Sequence, residues 1–316
     1  MQIAEVRRHA TAIRENIEKV IIGKSAEINL ILSALFADGH VLLDDVPGTG
    51  KTVLAKALAR SVDCDFSRIQ FTPDLLPTDL TGINVYNQKS NEFVFRKGAL
   101  FTNILLADEI NRATPRTQSG LLESMEEKQI TVDGQTYALA APYFVIATQN
   151  PIETQGTYPL PEAQLDRFLI RLSLGYPTAE ETSGIIKRFM VSSPLTELKP
   201  VCDAPTLLEI QNAVKSVYMH DDLIGYIVEL TEKTRTAGAV VLGVSTRGAI
   251  ALANLCRSFA AISGRDHVLP DDVQRLIPYA YSHRLIHRGG TIDHSTNLLR
   301  DIIADVKVPS ENYWSK

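Results

Sequence analysis

The sequence is short of everything that marks a secreted, metal-stapled or membrane-spanning protein. Its 316 residues include only three cysteines, Cys64, Cys202 and Cys256. No two of them form a CxxC pair, which excludes a disulfide framework or a cysteine zinc site and suits small buried thiols in a reducing compartment. No stretch approaches the ~18 uninterrupted apolar residues of a membrane span. The N-terminus, with Glu5, Arg7, Arg8, Arg14 and Glu15, lacks the apolar centre of a signal peptide. Neither charge dominates: 32 Lys and Arg stand against 37 Asp and Glu, a net charge of −5. That balance does not suit a general nucleic-acid binder. There is no internal repeat, no low-complexity tract, and no Ser-His-Asp or Cys-His motif. His283 and His287 lie four apart on a predicted helix, but Arg284 occupies the place of the zincin glutamate, so no metal site is expected there. These absences predict a soluble, cytoplasmic protein.

What remains is globular. With 45% hydrophobic and 22% charged residues, the chain is not disordered, and its length allows one large domain or two modest ones. Ile13, Ile17 and Val20 predict a helix over residues 3–20, and a second pattern covers 26–36. His40 to Leu43 reads as a short buried strand, with His40 a structural residue at its entry. The strand runs into Asp45-Val46-Pro47-Gly48-Thr49-Gly50-Lys51-Thr52 and a helix over 53–61. Alternating residues predict one hairpin over 83–96, and Asp133-Gly134 turns a second between 129–132 and 135–138. Between them lie an apolar strand ending in Asp108-Glu109 and a helix over 118–127. Strands follow at 143–147, leading to Thr148-Gln149-Asn150-Pro151, and at 169–174. Gly175-Tyr176-Pro177 marks the predicted boundary. Beyond it only helices are expected, over 179–189, 206–217, 223–234, 246–263 and 271–287, with Asp221-Asp222 and Asp271-Asp272 as helix-opening acids. The expected domains are 1–177 and 178–316.

Strand, glycine loop and helix occur in the order a phosphate site requires. Gly48, Thr49 and Gly50 let successive backbone N–H groups face an anion at a helix N-terminus, Lys51 adds a point charge, and the Thr52 hydroxyl is a Mg²⁺ ligand type. A dinucleotide fingerprint fails, because Val53 stands where a third glycine is needed. Asp108, after four apolar residues, reaches the carboxyl edge of a sheet, where a hard cation would be held, and Glu109 beside it is a base for water. Read alone, this pair equally describes a helix cap with a first-turn acid. Asn150 follows another buried strand to the same edge; it orients water or a phosphate there, or simply turns the chain before Pro151. Arg167 is spaced to project toward a neighbouring subunit, and Arg247, opening a helix of the second domain, to fold back over the phosphates. Spacing alone serves a surface salt bridge as well for both.

Together these segments resemble the MoxR family of AAA+ ATPases. The resemblance is carried by residues 45–52, by Leu106-Ala107-Asp108-Glu109-Ile110-Asn111-Arg112, by Ala147-Thr148-Gln149-Asn150-Pro151, and by residues 160–168 and 243–247. It covers nearly the whole chain. It implies a three-layer α/β/α P-loop domain with a parallel sheet, followed by a smaller all-helical lid. It further implies ATP and Mg²⁺ as cofactors, with Ile22, Gly23, Gly48, Thr49, Gly50, Lys51, Thr52 and Val53 around the nucleotide, and Thr52 and Asp108 on the metal. In that likeness Lys51 and Thr52 are Walker A residues, Asp108 and Glu109 Walker B, Asn150 sensor 1, Arg167 the arginine finger and Arg247 sensor 2. The 83–96 hairpin is the helix-2 insert, and 129–138 a second pore-facing hairpin. Three positions depart from the pattern: Asp45 replaces the first Walker glycine, Lys24 a glutamine, and Thr246 a proline. The family implies a ring, usually hexameric, acting as a chaperone on a protein partner that often carries a von Willebrand factor A domain. A nucleic-acid motor and an ATP-gated scaffold with little turnover are the rival readings; against the first, Lys89 is the only cation at the tip of the first hairpin.

Overall fold

The structure is a computed structural model that describes residues 1–150, 156–190, 194–238, 240–287 and 292–309. Pro151 and the side chain of His287 lie outside the described residues. Helix α1 (Ile3–Glu18) buries Val6, Ala10, Ile13 and Ile17 along one stripe, the spacing of an amphipathic helix laid on a core. Helix α2 (Ser25–Phe36) is apolar nearly all round, and it packs against other helices on more than one side. Strand β1 (Val41–Asp44) and helix α3 (Lys51–Ser61) flank the glycine loop. After them come β2 (Phe66–Gln70), α4 (Pro77–Thr81), the hairpin β3 (Gly82–Asn87) and β4 (Glu92–Lys97), β5 (Ile104–Asp108) and α5 (Pro115–Glu127). The second hairpin is β6 (Gln129–Val132) with β7 (Gln135–Ala138). Strand β8 (Phe144–Gln149), a short α6 (Glu162–Leu165) and β9 (Ile170–Leu172) complete this part.

Five strands form one parallel sheet in the order β2-β5-β8-β1-β9. Because side chains alternate along a strand, successive residues of β5 enter different cores. Ile104 and Leu106 join α1, α2 and α3, whereas Leu105 and Ala107 join Leu121, Leu122 and Met125 of α5. Covering both faces is what makes β5 and β8 apolar runs. The three-layer α/β/α arrangement expected from the sequence is present.

Strand β2 and helix α4 were not expected. β2 is the sheet edge, only half-buried, and Phe-Ser-Arg-Ile-Gln carries too weak an alternation to read as a strand.

The remainder is α7 (Ala179–Phe189), α8 (Pro194–Glu197), α9 (Ala204–Val214), α10 (Asp221–Thr236), β10 (Val240–Leu242), α11 (Thr246–Ile262), α12 (Pro270–Tyr281), β11 (Ile286–His287) and α13 (Ile292–Asp305). The helix expected over 271–287 stops at Tyr281. There the chain turns so that His283 and Arg284 reach the backbone carbonyl of Phe168, after which β11 pairs antiparallel with β10. His283 and His287 therefore share no helix, and the helical lid carries one small strand pair. Its helices do not stand apart: α9 and α11 pack on α1 and α2, and Leu207, Leu252 and Leu255 join Ile13 and Leu35 in one apolar cluster. Among the described residues no helix is long and apolar enough to cross a membrane.

Candidate active site

The register brings the sequence-selected residues to one edge. Gln70 pairs with Asp108, Ala107 with Ala147, and Asp44 with Gln149, so β2, β5, β8 and β1 finish side by side at their carboxyl ends. Since β8 lies between β5 and β1, Asn150 stands between Glu109 and the glycine loop. In open parallel sheets this edge is where ligands bind.

Gly50 caps α3 with φ +89°, a left-handed conformation that side-chain-bearing residues avoid, and Gly48 has the same φ. A Cβ at either would meet nothing within 4 Å, so both glycines face open space and leave the loop clear for an anion. Lys51 Nζ donates to the carbonyls of Asp45 (2.8 Å) and Val46 (3.2 Å), which keeps its charge at the centre of the loop, and no carboxylate among the described residues pairs with it. This loop suits a polyphosphate.

Asp45, the departure from the Walker glycine, is buried. Its carboxylate accepts from Ser173 Oγ (2.7 Å) and from the backbone N–H groups of Leu174 (2.6 Å) and Gly175 (3.0 Å). The loop is thereby tied to the segment that leads into the lid. Lys24 Nζ reaches the carbonyl of Tyr176 at 3.4 Å, which places Ile22-Gly23-Lys24 against the same segment. Gly23, at φ +75°, lies directly under Glu181 of α7: a Cβ there would come 1.7 Å from Glu181 Oε1.

The two acids at the end of β5 are held largely by partners to which the sequence gave no role. Thr148, fully buried, donates to Asp108 Oδ1 (2.7 Å) and accepts from the backbone N–H of Glu109 (2.8 Å). Arg68 Nη2 donates to Asp108 Oδ2 at 2.7 Å. Glu109 Oε2 accepts from Gln70 Nε2 (2.8 Å) and Arg112 Nη1 (3.0 Å). A hydroxyl at the end of an otherwise apolar strand was the available signal for Thr148. Arg68 and Gln70 gave none, because β2 itself was not recognised. Thr52 and Asp108 are an oxygen-donor pair suited to Mg²⁺; for Asp108 to ligate directly, the half-exposed Arg68 has to yield Oδ2.

Arg167 and Arg247 lie elsewhere. Both meet Glu126 at the end of α5, beside a cavity of about 280 Å³ lined by Gly39, His40, Lys128 and Leu169, the residues that enter β1 and β9 or follow α5. The glycine loop leaves the opposite end of β1. The expectation that Arg247 folds over its own phosphate loop is therefore corrected: the N-terminus of α11 is fixed at the strand-entry edge, where Ser245 Oγ donates to Asp166 Oδ2 at 2.9 Å.

Two family descriptions match this chain: "ATPase family associated with various cellular activities (AAA)" over residues 40–170, and "AAA lid domain" over 232–304. The uncharacterised protein YeaC of Bacillus subtilis is 49% identical over 93% of this chain and 93% of its own length. Chaperone MoxR1 of Mycobacterium tuberculosis is 41% identical, over 90% of this chain and 77% of its own length. The chain belongs to the MoxR family of AAA+ ATPases. A crystal structure from Cytophaga hutchinsonii, described as a candidate ATPase, superposes with a TM-score of 0.90 at 36% identity, over 98% of this chain and 97% of that one. The AAA match takes in β1 to β8 and the first residue of β9, with the glycine loop and the Asp108-Glu109 pair, and the lid match runs from within α10 into α13.

One further side chain beside the two arginines gave no signal in the sequence. Arg284 is almost fully buried, and it binds Asp166 Oδ1 (2.6 Å) through Nε and the carbonyls of Phe168 (2.7 Å) and Leu169 (3.2 Å) through its terminal nitrogens. It locks the segment that carries Arg167 to the lid. Burial pulls its pKa down, and the Asp166 carboxylate works against that.

Proposed function

We propose that this MoxR-family chain is a Mg²⁺-dependent ATP hydrolase working as a ring, most simply a hexamer, in which each subunit lends Arg167 and Arg247 to the nucleotide of its neighbour. The observation that carries this is the separation of the two sets of residues. One subunit presents its phosphate loop at the carboxyl edge of the sheet and its two arginines at the other edge, so a complete constellation needs a second copy.

In this reading the backbone N–H groups of residues 48–52 and Lys51 hold the phosphates, and Ile22 and Gly23 lie on the base side. Thr52 and Asp108 would hold Mg²⁺, which supplies charge neutralisation on the phosphates. Glu109, released from Gln70, accepts a proton from the water that attacks the γ-phosphorus, while the bond to the β-γ bridging oxygen breaks. Asn150 orients that water. The partner's Arg167 and Arg247 stabilise the charge that moves onto the transferred group. The tie from Asp45 to Leu174 and Gly175 supports motion of the 178–316 lid against the 1–177 domain as the mechanical output.

A protein client of the von Willebrand factor A type and a cytoplasmic setting are the reading that the family likeness and the free thiols support. The exposed side chains of the first hairpin, Ile83, Tyr86, Phe93 and Val94, favour a protein surface over a nucleic-acid backbone. A scaffold with little turnover has one observation in its favour, the engagement of both acids by Arg68, Gln70 and Arg112. ATP turnover per subunit across protein concentration decides between them. A rate that climbs with concentration and falls on the order of 10³-fold in Arg167→Ala is expected; a flat, negligible rate with ATP still bound would leave only the scaffold.

A further inference from the structure

We infer that Glu126 is a positioning residue: its carboxylate gathers Arg167 and Arg247 into a single anion receptor for the neighbouring subunit's nucleotide. This rests on the trans reading of those arginines given above.

The inference starts from the carboxylate on which the two side chains meet. They are 80 positions apart in sequence, yet each takes one oxygen of the same carboxylate. Arg167 Nε lies 3.1 Å from Oε2, an ion pair without hydrogen-bond alignment, and Arg247 Nη2 donates to Oε1. Their backbones are tied to each other through Asp166, which binds Ser245 Oγ and Arg284 Nε. Only the long side chains remain to be placed, and two guanidinium groups in one cleft repel each other unless an anion stands between them.

The backbone of Glu126 is itself fixed. The carbonyl of the preceding residue, Met125, bonds to His40 Nε2 at 3.1 Å, and His40 is fully buried under β1 with its other nitrogen accepting from the N–H of Val145 at 3.1 Å. A rigid stem therefore presents a carboxylate whose side chain is 35% exposed. The charge count around the cavity singles out the same place. Lys128 is paired with Asp38 and Arg284 with Asp166, whereas Glu126 alone faces two arginines. One positive charge is left over there, beside open volume. A carboxylate shared in this way pre-places the cations without satisfying them, which is what a receptor for a more highly charged phosphate requires.

The test uses the full-length protein at a concentration where wild-type turnover has reached its plateau. Glu126→Gln keeps the shape and removes the charge. We expect kcat to fall about ten- to a hundredfold, with KM and the affinity for a fluorescent ATP analogue changed by less than twofold and the melting temperature unmoved. Glu126→Asp should recover part of the rate. In the Arg167→Ala, Arg247→Ala background, Glu126→Gln should remove nothing more. Wild-type turnover in Glu126→Gln, an increase in its rate, or an equal further loss in the arginine-free background would each overturn the inference while leaving the ATPase reading intact. An Arg167→Ala rate equal to wild type would overturn both.

Discussion

Glu109 is the residue on which the proposed chemistry turns, and its surroundings are unusual for a surface acid. Its backbone sits at φ +56°, in the left-handed region, costing on the order of 1–2 kcal/mol. The bond from its N–H to Thr148 Oγ1 helps hold that conformation. The effect is to aim its side chain at Gln70 and Arg112 rather than along the sheet. Glu109→Gln preserves size and the backbone bond but cannot accept a proton. ATP binding should persist while turnover drops by roughly 10² to 10⁴-fold, the usual worth of a positioned base. Equilibrium binding alongside single-turnover rates checks this, and a rate undiminished by the substitution would remove Glu109 from the mechanism.

At the scale of elements, α5 joins the two halves of the proposed site. It starts just after the Glu109–Arg112 turn and ends at Glu126 and Glu127, some 20 Å away for thirteen residues. Its far end is pinned by His40, whose pKa burial pushes down to about 4. In the unfolded chain that imidazole titrates near 6.5, so unfolding takes up a proton between those values. The contribution of neutral His40 is complete above pH 6.5 and is lost as pH falls toward 4, at up to about 1.4 kcal/mol per pH unit. His283, held neutral by burial and by Arg284, acts in the same direction. Urea unfolding of wild type and His40→Gln from pH 7 to pH 5 should show the wild-type advantage shrinking as pH falls. A gap independent of pH would mean that His40 contributes by packing alone.

For the molecule as a whole, the lid is fastened by one large apolar core and by dispersed polar contacts, among them Gln211 Nε2 to the Leu35 carbonyl and Ser245 Oγ to Asp166. Arg284 is its buried charged fastener, and removing it leaves, among the described residues, the Asp166 carboxylate with only the Ser245 hydroxyl and the Phe168 carbonyl with only His283. Arg284→Met should cost about 3–5 kcal/mol, the range for breaking one side of a buried pair. It should also reduce the assembly-dependent rate, because Asp166 and Ser245 would no longer hold Arg167 and Arg247 in register. Denaturant melts and sedimentation check the two effects separately; a loss below 1 kcal/mol would show that α9 and α11 packed on α1 and α2 suffice to seat the lid.

Much was legible before any coordinates. The glycine loop, the acids at the end of β5, Asn150 and the second hairpin with its Asp133-Gly134 turn are signals confined to a few neighbouring residues, and local backbone chemistry fixes them. β2 was lost because an edge strand buries too little to impose alternation, and Arg68 and Gln70 went with it. The C-terminal helix was overextended because its end is set by Arg284 reaching residues more than a hundred positions away. The reach of Arg247 depended on where α11 docks, which no spacing encodes. The sequence by itself determined which groups carry the proposed phosphoanhydride chemistry, since those groups come in short contiguous motifs. Only the tertiary structure decided that the two arginines face away from their own loop and meet on Glu126, because that pairing arises from long-range packing of the lid on the first two helices.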